Sequence, residues 1–183
     1  MDIRRRMLFN TTTGESGGDI EIDTTNVIYY TSSDGNIVTP YETDGFGANI
    51  VSNNYINGQG IISFDGPVTS IGYEAFYNCR SLTSVTIPDS VTTIGDSAFY
   101  QCRSLTSVTI GDSVTTIEGW AFAVCSSLTS VYCKATTPPA VGSYMFEFSN
   151  ASYKIYVPME SVNAYKSASG WSEYRSYIVG YNF

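Results

Sequence analysis

Hydrophobic and polar residues recur along the middle of the chain with a period of 23 positions. Residues 68–90 and 91–113 are identical at 18 of 23 positions, and residues 114–136 match the second copy at 12 of 23. Such self-similarity is typical of proteins built from stacked structural units, because one unit cannot bury its apolar side alone. The pattern therefore predicts a solenoid in which each coil is one 23-residue copy.

Each copy combines short alternating segments with an apolar turn. Residues 84–87 alternate polar and β-branched side chains, which is typical of a half-buried strand. Residues 91–94 predict a second short strand, and residues 97–102 predict one or two helical turns with Asp96 or Ser97 as the N-cap. Each coil is therefore expected to contain short strands and a short helical turn, as in an α/β solenoid.

Stacking of the copies would align like residues in inward-facing columns. The predicted columns are Val68/Val91/Val114, Ile71/Ile94/Ile117, Ala75/Ala98/Ala121, Phe76/Phe99/Phe122, Cys79/Cys102/Cys125, Leu82/Leu105/Leu128, Val85/Val108/Val131 and Ile87/Ile110/Cys133. We interpret the cysteines as small core residues, since free cysteine behaves as a buried hydrophobe. No C-x-x-C pair occurs, so a zinc site is not expected.

The flanking segments are expected to cover the ends of the stack, whose apolar surface and strand edges would otherwise be exposed. Residues 27–31 and 37–38 predict a β-hairpin around an Asp-Gly turn, and residues 61–64 predict the first strand of the stack. At the other end we expect a last helical turn at 143–148, a last strand at 154–157 and a helix at 159–168, with aromatic residues beyond it covering the end. The predicted divisions are a disordered tail at 1–25, an N-terminal cap with the first strand at 26–66, three repeats at 67–136, and a degenerate repeat with a C-terminal cap at 137–183.

The repeat frame carries a recognisable combination of motifs. Leu82, Val85 and Ile87 give Leu-x-x-Val-x-Ile, preceded by Cys79, and the same frame contains Val-x-x-Ile and Ala-Phe. Over residues 67–136 these motifs resemble the BspA-type bacterial leucine-rich repeats. The Asn that follows Leu-x-x-Leu-x-Leu in the usual leucine-rich repeat pattern is absent. The resemblance implies a short right-handed leucine-rich repeat stack with a hairpin-type N-terminal cap and a mixed C-terminal cap.

Composition removes several functional classes. The 183 residues include no His, which excludes an imidazole base, a His-dependent nucleophile and a His-ligated metal. No carboxylate pair recurs beside an apolar pocket, so we expect no catalytic, cofactor or metal site. With 17 acidic and 9 basic residues the net charge is −8, which disfavours nucleic acid as a partner. No apolar run approaches the ~18 residues of a membrane span, so no membrane insertion is expected.

Two outward surfaces are candidates for protein binding. Ser84, Thr86, Ser107, Thr109, Ser130 and Tyr132 flank the inward valine column and should line the outward, concave face of the sheet. Arg80 and Arg103, with Tyr77 and Tyr100, predict a second stripe over the helical turns. Trp120 occupies the position of Glu74 and Ser97 in the other copies, and it is either a contact residue or packed against a neighbour. The alternative for the Ser/Thr rows is a solvated ladder that only confers solubility.

Two functions remain open. The resemblance implies a non-catalytic, adhesion-type module that binds host extracellular or bacterial surface proteins, and hence a location at the cell surface or outside the cell. The alternative is a structural or spacer element of a larger assembly or a phage-borne appendage. Arg4-Arg5-Arg6 is not followed by the apolar stretch of a secretory signal, so no such signal is expected and a cytoplasmic location is the alternative. The ligand and the oligomeric state stay undetermined.

Overall fold

Each coil of the repeat region contributes one strand to each of two sheets. The computed structural model describes residues 24–183, in which the large sheet has the strand order β12-β11-β9-β7-β5-β1-β3-β2 and the small sheet the order β10-β8-β6-β4. The strands are β1 (Val27–Ser32), β2 (Ile50–Ile56), β3 (Gln59–Phe64), β4 (Ser70–Ile71), β5 (Leu82–Thr86), β6 (Thr93–Ile94), β7 (Ser107–Ile110), β8 (Thr116–Ile117), β9 (Ser130–Cys133), β10 (Ala140–Val141), β11 (Lys154–Pro158) and β12 (Ile178–Tyr181).

The 23-residue period becomes exact strand register. Ser84 pairs with Ser107, and Ser107 pairs with Ser130, in parallel ladders of the large sheet. In the small sheet Ile94 lies beside both Ile71 and Ile117. Since parallel neighbours in register present the same face, identical side chains stack along the axis, which confirms the predicted columns.

A continuous core fills the stack. Every predicted column residue is buried except Cys79, which is half-buried. The phenylalanine column forms a spine of nearly parallel rings, with centroids 5.1 Å apart between Phe76 and Phe99 and 5.2 Å apart between Phe99 and Phe122. Phe146 extends the spine at 5.7 Å, and Phe46 meets its other end edge-on at 5.9 Å. The core is therefore ordered along the stack by ring-to-ring contact.

The predicted helical turns are wrong. Residues 97–102 and 143–148 form successive tight turns instead, with left-handed backbone at Ser97 (φ 57°), Gln101 (φ 60°), Tyr144 (φ 62°) and Phe148 (φ 54°). Their main chain bonds between coils, for example from the Phe76 N–H to the Ala98 oxygen at 2.7 Å and from the Phe99 N–H to the Ala121 oxygen at 2.8 Å. A row of helices, each about 10 Å across, would require the stack to be much wider on the helical side than the ~4.8 Å spacing of neighbouring strands. Here the small sheet also holds successive coils at strand spacing, and compact turns fit that spacing. Among the described residues the one α-helix, α1 (Val162–Ser167), lies in the C-terminal cap.

Hydroxyl and thiol side chains form hydrogen bonds between neighbouring coils. Thr106 Oγ1 donates to the Thr83 oxygen at 2.9 Å, and Thr129 Oγ1 donates to the Thr106 oxygen at 3.0 Å. At the cysteine position, Cys102 Sγ contacts the Phe76 oxygen at 3.0 Å. These threonines are therefore structural, because each donates to a main-chain oxygen of the preceding coil.

Ser149 takes the cysteine position in the degenerate last coil. Its Oγ donates to the Phe122 oxygen at 2.8 Å, just as Cys125 Sγ contacts the Phe99 oxygen at 3.2 Å one coil earlier. All four cysteines are free thiols. Each of Cys102, Cys125 and Ser149 thus places a short donor side chain against a main-chain oxygen of the preceding coil.

The N-terminal cap differs from the predicted hairpin. β1 forms as expected, but residues 37–38 form no strand. β1 pairs antiparallel with β3 on one side and with β5 on the other, so neither of its edges is left for residues 37–38. The main chain of Val38 bonds to side chains instead, receiving from Asn53 Nδ2 at 2.9 Å and donating to the Tyr30 hydroxyl at 3.2 Å.

Residues 61–64 lie in β3, but β3 is not the first strand of the parallel stack. β1 is inserted between β3 and β5, antiparallel to both. The hairpin of this cap is formed by β2 and β3, joined at Asn57 (φ 52°) and Gly58 (φ 82°). Both turn residues have the positive φ of a type I′ turn, for which Asn-Gly is the preferred pair. The Asn57-Gly58 pair is the sequence signal for this hairpin, and the predicted hairpin was placed at another turn.

The C-terminal cap closes the other end. β11 pairs parallel with β9 as predicted, but β12 adds a further parallel strand, so residues 154–157 are not the last one. Short 3-10 helices at Met159–Ser161 and Trp171–Tyr174 flank α1, which confirms the helix predicted at 159–168. Tyr165 and Trp171 are fully buried, and Trp171 Nε1 donates to the Pro139 oxygen at 2.7 Å.

The predicted disordered tail concerns residues 1–25, of which residues 1–23 lie outside the described part of the chain. The described chain begins with a short 3-10 helix, Thr24–Asn26. The main-chain oxygen of Thr25 accepts hydrogen bonds from the Val68 N–H at 2.9 Å and from Ser90 Oγ at 3.0 Å. The start of the cap is therefore anchored at a corner of the stack.

Candidate functional site

The outward side of the large sheet, here called the sheet face, carries six of the nine predicted site residues. Adjacent positions across the strands form one row of Ser84, Ser107, Ser130 and Lys154 and another of Thr86, Thr109, Tyr132 and Tyr156. Thr86 and Lys154 are exposed, and the other six are half-buried. The predicted rows therefore exist, and each continues into β11 with a larger side chain.

The two ends of the serine row differ in their hydrogen bonding. Ser84 Oγ lies 2.6 Å from Thr31 Oγ1, which also lies 2.6 Å from Thr83 Oγ1. The hydroxyls of Ser107 and Ser130 make no hydrogen bond to another described residue. The middle of the sheet face therefore offers hydroxyl groups to a ligand, whereas Ser84 is already engaged by the cap.

An aromatic cluster covers the C-terminal end of the sheet face. The rings of Tyr132 and Tyr156 stack with centroids 4.7 Å apart and an interplanar angle of 13°. Tyr181 meets both edge-on at 5.4 and 5.6 Å, and Phe183 lies 5.1 Å from Tyr181. Tyr181 is 42% exposed and Phe183 is 53% exposed. Of this cluster only Tyr132 was among the predicted site residues, although Tyr156 follows it at nearly the repeat spacing.

Charged groups border this aromatic cluster. An open cleft beside Tyr181 and Phe183 is also lined by Asp112, Lys134 and Glu160. Lys134 Nζ lies 2.7 Å from an oxygen of Asp89, which joins two coils at their corner. The end of the sheet face therefore combines aromatic surface with groups of both signs, whereas its middle is neutral.

The second predicted stripe lies over the tight turns and is here called the turn face. Arg80 and Arg103 are exposed there, and Arg80 Nε donates to Asn78 Oδ1 at 2.8 Å. Tyr77 and Tyr100 stack with centroids 5.6 Å apart at 8°. The predicted stripe is therefore formed, with its cations on the solvent side.

Further aromatic residues extend the turn face in both directions. Tyr41 lies 5.3 Å from Tyr77, Trp120 lies 6.3 Å from Tyr100, and Tyr144 lies 4.7 Å from Trp120. Trp120 is half-buried between its two aromatic neighbours, which is the packed alternative of the two considered for it. Because Tyr77 and Tyr100 face each other in the row, they present ring edges and hydroxyls to solvent rather than open ring faces.

The thiols are poor candidates for chemistry. Burial raises the pKa of Cys79 to about 11 and that of Cys125 to about 12, and it raises the pKa of Cys102 well above its ordinary value. These groups stay protonated at neutral pH, and the thiolate is the reactive form. Within residues 24–183, no group of three or more His, Cys, Asp or Glu side chains is placed to hold a metal ion. No described helix has the length and apolar character needed to cross a membrane.

Comparison with known proteins gives one family. The profile of the BspA type leucine-rich repeat region matches residues 49–169 in six copies, which extends the repeat region beyond residues 67–136 on both sides. No match is found among curated proteins.

Two solved structures of leucine-rich repeat proteins are similar to the chain. The protein from Bacteroides ovatus ATCC 8483 is 27% identical, with a TM-score of 0.41, over 61% of this chain and 29% of its own. The protein from Bacteroides capillosus ATCC 29799 is 31% identical, with a TM-score of 0.44, over 74% of this chain and 96% of its own. The chain thus spans less than a third of the first of these proteins.

Proposed function

Because the chain belongs to the BspA-type leucine-rich repeat family, we propose that it is a non-catalytic, adhesion-type module that binds host or microbial surface proteins. Leucine-rich repeat domains generally mediate protein–protein interaction. The observation that carries the proposal is the sheet face, where neutral hydroxyl rows lead into the cluster of Tyr132, Tyr156, Tyr181 and Phe183.

The composition of that face suits a protein ligand. Binding energy at protein interfaces concentrates in a few Tyr, Trp and Arg residues, while small polar side chains contribute little each. Tyr132 and Tyr156 are held in a stack, so little side-chain entropy is lost when a partner covers them. The hydroxyls of Ser107 and Ser130 supply hydrogen bonds beside them. We therefore assign the binding centre to the aromatic end and the polar rim to the Ser/Thr rows.

A binding panel with matched variants tests this assignment. The folded protein is immobilised and probed with purified matrix, serum and bacterial surface proteins at micromolar concentration. We expect at least one protein to bind, with the affinity reduced about tenfold or more by Tyr156→Ala, since truncation of a central tyrosine costs over ~1.4 kcal/mol. Tyr100→Ala on the turn face is the control and should leave binding unchanged.

Two outcomes would contradict the proposal. If no protein on the panel binds the folded chain at micromolar levels, the structural or spacer role is favoured. If Tyr100→Ala weakens binding and Tyr156→Ala does not, the turn face with Arg80 and Arg103 is the binding surface. The proposed location is the cell surface or the exterior, and fractionation that recovers the protein only from the cytoplasm of intact cells would reject it.

A further inference from the structure

The outer edge of β2 is an unpaired edge of the large sheet. β2 is the terminal strand there, and no other described strand pairs with its outer side. At seven residues it is the longest described strand, whereas the terminal strand at the opposite edge, β12, has four. Residues next to a two-residue turn form a hydrogen-bonded pair, so Ile56 and Asn54 direct their main chain to β3. The N–H and C=O groups of Asn53 and Tyr55 therefore point outward.

This edge lacks the features that usually prevent pairing between chains. Natural edge strands are protected by charged side chains, proline, shortness or a bulge. β2 contains no charged residue and no proline, and Val51 and Ile56 are 67% and 63% exposed. A register shift at Val51 disturbs its first residues, but residues 52–56 pair regularly with β3. The irregularity therefore protects only the first residues of β2, and residues 52–56 remain a regular open edge.

The edge is also held rigidly from the inside. Tyr30 Oη donates to Asn53 Oδ1 at 2.7 Å, and Asn53 Nδ2 donates to the Val38 oxygen at 2.9 Å. The Tyr55 hydroxyl donates to the Gly58 oxygen at 3.0 Å. Side chains on one side of the strand are thereby fixed, so a partner strand would meet an edge that is already ordered and would lose little conformational entropy in pairing.

The absence of charge at this edge allows a second copy of the chain to approach it. The chain has a net charge of −8, so two copies repel each other over most of their surface. Residues 45–64 are the longest uncharged run in the sequence, and they include the whole β2–β3 hairpin. Two copies can therefore approach through this hairpin without opposing charges of the same sign at the contact.

We propose that β2 is a self-association edge through which two copies pair as antiparallel strands about a two-fold axis at Asn54. Asn54 is the midpoint of the regular stretch, so this register places Asn54 opposite Asn54, Ser52 opposite Ile56, and Asn53 opposite Tyr55. The outward N–H and C=O groups of Asn53 and Tyr55 then bond to their counterparts. The two eight-stranded sheets would join into one continuous sheet, with the sheet faces of both copies on the same side.

Sedimentation equilibrium over the micromolar range tests the association with two lysine variants. The Asn54 side chain is exposed, so Asn54→Lys should leave the fold intact. In the proposed register the two introduced lysines would lie directly opposite each other and repel. We expect the unmodified chain to dimerise and Asn54→Lys to raise the dimer dissociation constant about tenfold or more. Val179→Lys on β12, at a position 38% exposed, is the matched control at the other edge and should dimerise normally. Thermal melting of both variants checks their folding.

The proposal is overturned if the unmodified chain stays monomeric throughout this range. It is also overturned if Val179→Lys dissociates the dimer, because β12 is then part of the contact. Open-ended growth in size that Val179→Lys converts to monomer would have the same meaning, since β12 then pairs head-to-tail with β2.

Cysteine cross-linking tests the register separately. Directly opposed residues of a non-hydrogen-bonded pair have Cα atoms ~4.5 Å apart, which lies within disulfide range. Asn54→Cys should therefore form a disulfide-linked dimer under mild oxidation. Ser52→Cys and Ile56→Cys should each cross-link poorly alone and efficiently when mixed. Efficient cross-linking of Ser52→Cys alone, or none of Asn54→Cys, would reject the two-fold axis at Asn54.

Discussion

Replacing Phe99 by Ala should destabilise the stack more than any substitution on its surface. Phe99 is completely buried and stacks on Phe76 at 5.1 Å and on Phe122 at 5.2 Å, so its ring contacts both neighbouring coils. Truncation of a buried phenylalanine costs roughly 3–5 kcal/mol through lost burial and the cavity left behind. Since the neighbouring coils are fixed by hydrogen bonds from Phe99 and around it, the cavity cannot collapse, and we expect about 4 kcal/mol.

Urea unfolding followed by circular dichroism measures this loss. With a slope of about 2 kcal/mol per molar urea, the midpoint should fall by about 2 M, out of a total stability of roughly 5–15 kcal/mol. Tyr100→Ala is the control, because Tyr100 is the next residue on the same turn but is half-buried and stacks in the outer row with Tyr77. It should cost about 1 kcal/mol or less.

Equal losses for the two variants would refute the reasoning, because burial within the spine would then not decide the cost. A Phe99→Ala loss below about 1 kcal/mol would show that neighbouring coils close around the cavity. A change in the slope alone would mean that the coils no longer unfold together, as happens when cooperativity between repeats is lost.

Cys102→Ser should be more stable than Cys102→Ala by about 1 kcal/mol in urea unfolding, because a hydroxyl replaces the thiol donor as Ser149 does two positions along the column. The reverse order would contradict a stabilising hydrogen bond from this position to the preceding coil. In the folded protein iodoacetamide should label Cys79 alone, slowly at neutral pH and faster toward its pKa of about 11, and mass spectrometry that found Cys102 labelled first would contradict the packing. Burial raises the pKa of Tyr153 and Tyr165, so both stay neutral in the fold but ionise near pH 10 once unfolded. Their stabilisation is present below about pH 10 and is lost above it, so the melting temperature should fall from about pH 10 upward; a flat profile would argue against it.

The inward columns could be predicted from sequence because repetition carries three-dimensional information. Once one copy is aligned on the next, Phe99 is placed between Phe76 and Phe122 without knowledge of the coil's shape. The shape of the turn could not be predicted in the same way. Local pattern suggested a helix at residues 97–102, but every second N–H of this segment, those of Ser97, Phe99 and Gln101, bonds to the next coil and leaves no local signal.

The cap and the aromatic cluster depend on contacts between distant segments. Nothing local to β1 indicates that it is inserted between β3 and β5, since that position is decided by competition among strands for the same edge. Likewise, Tyr132 was identified from its own repeat, but Tyr181 reaches it only because β12 adds to the sheet beyond β11. The middle of the sheet face could therefore be predicted from sequence, whereas the aromatic residues that β11 and β12 add at its C-terminal end could not.

The direction of the hydrogen bonds between coils has a mechanical consequence. The bonds of both ladders run along the long axis of the stack, because the strands of each coil pair with the strands of the next coil. A tensile force between the two ends of the stack would load these bonds end-on and break them one coil at a time, instead of shearing a whole ladder together. The module would therefore lengthen stepwise under tension and reform when the force is released, which limits the peak force passed to whatever is attached at either end.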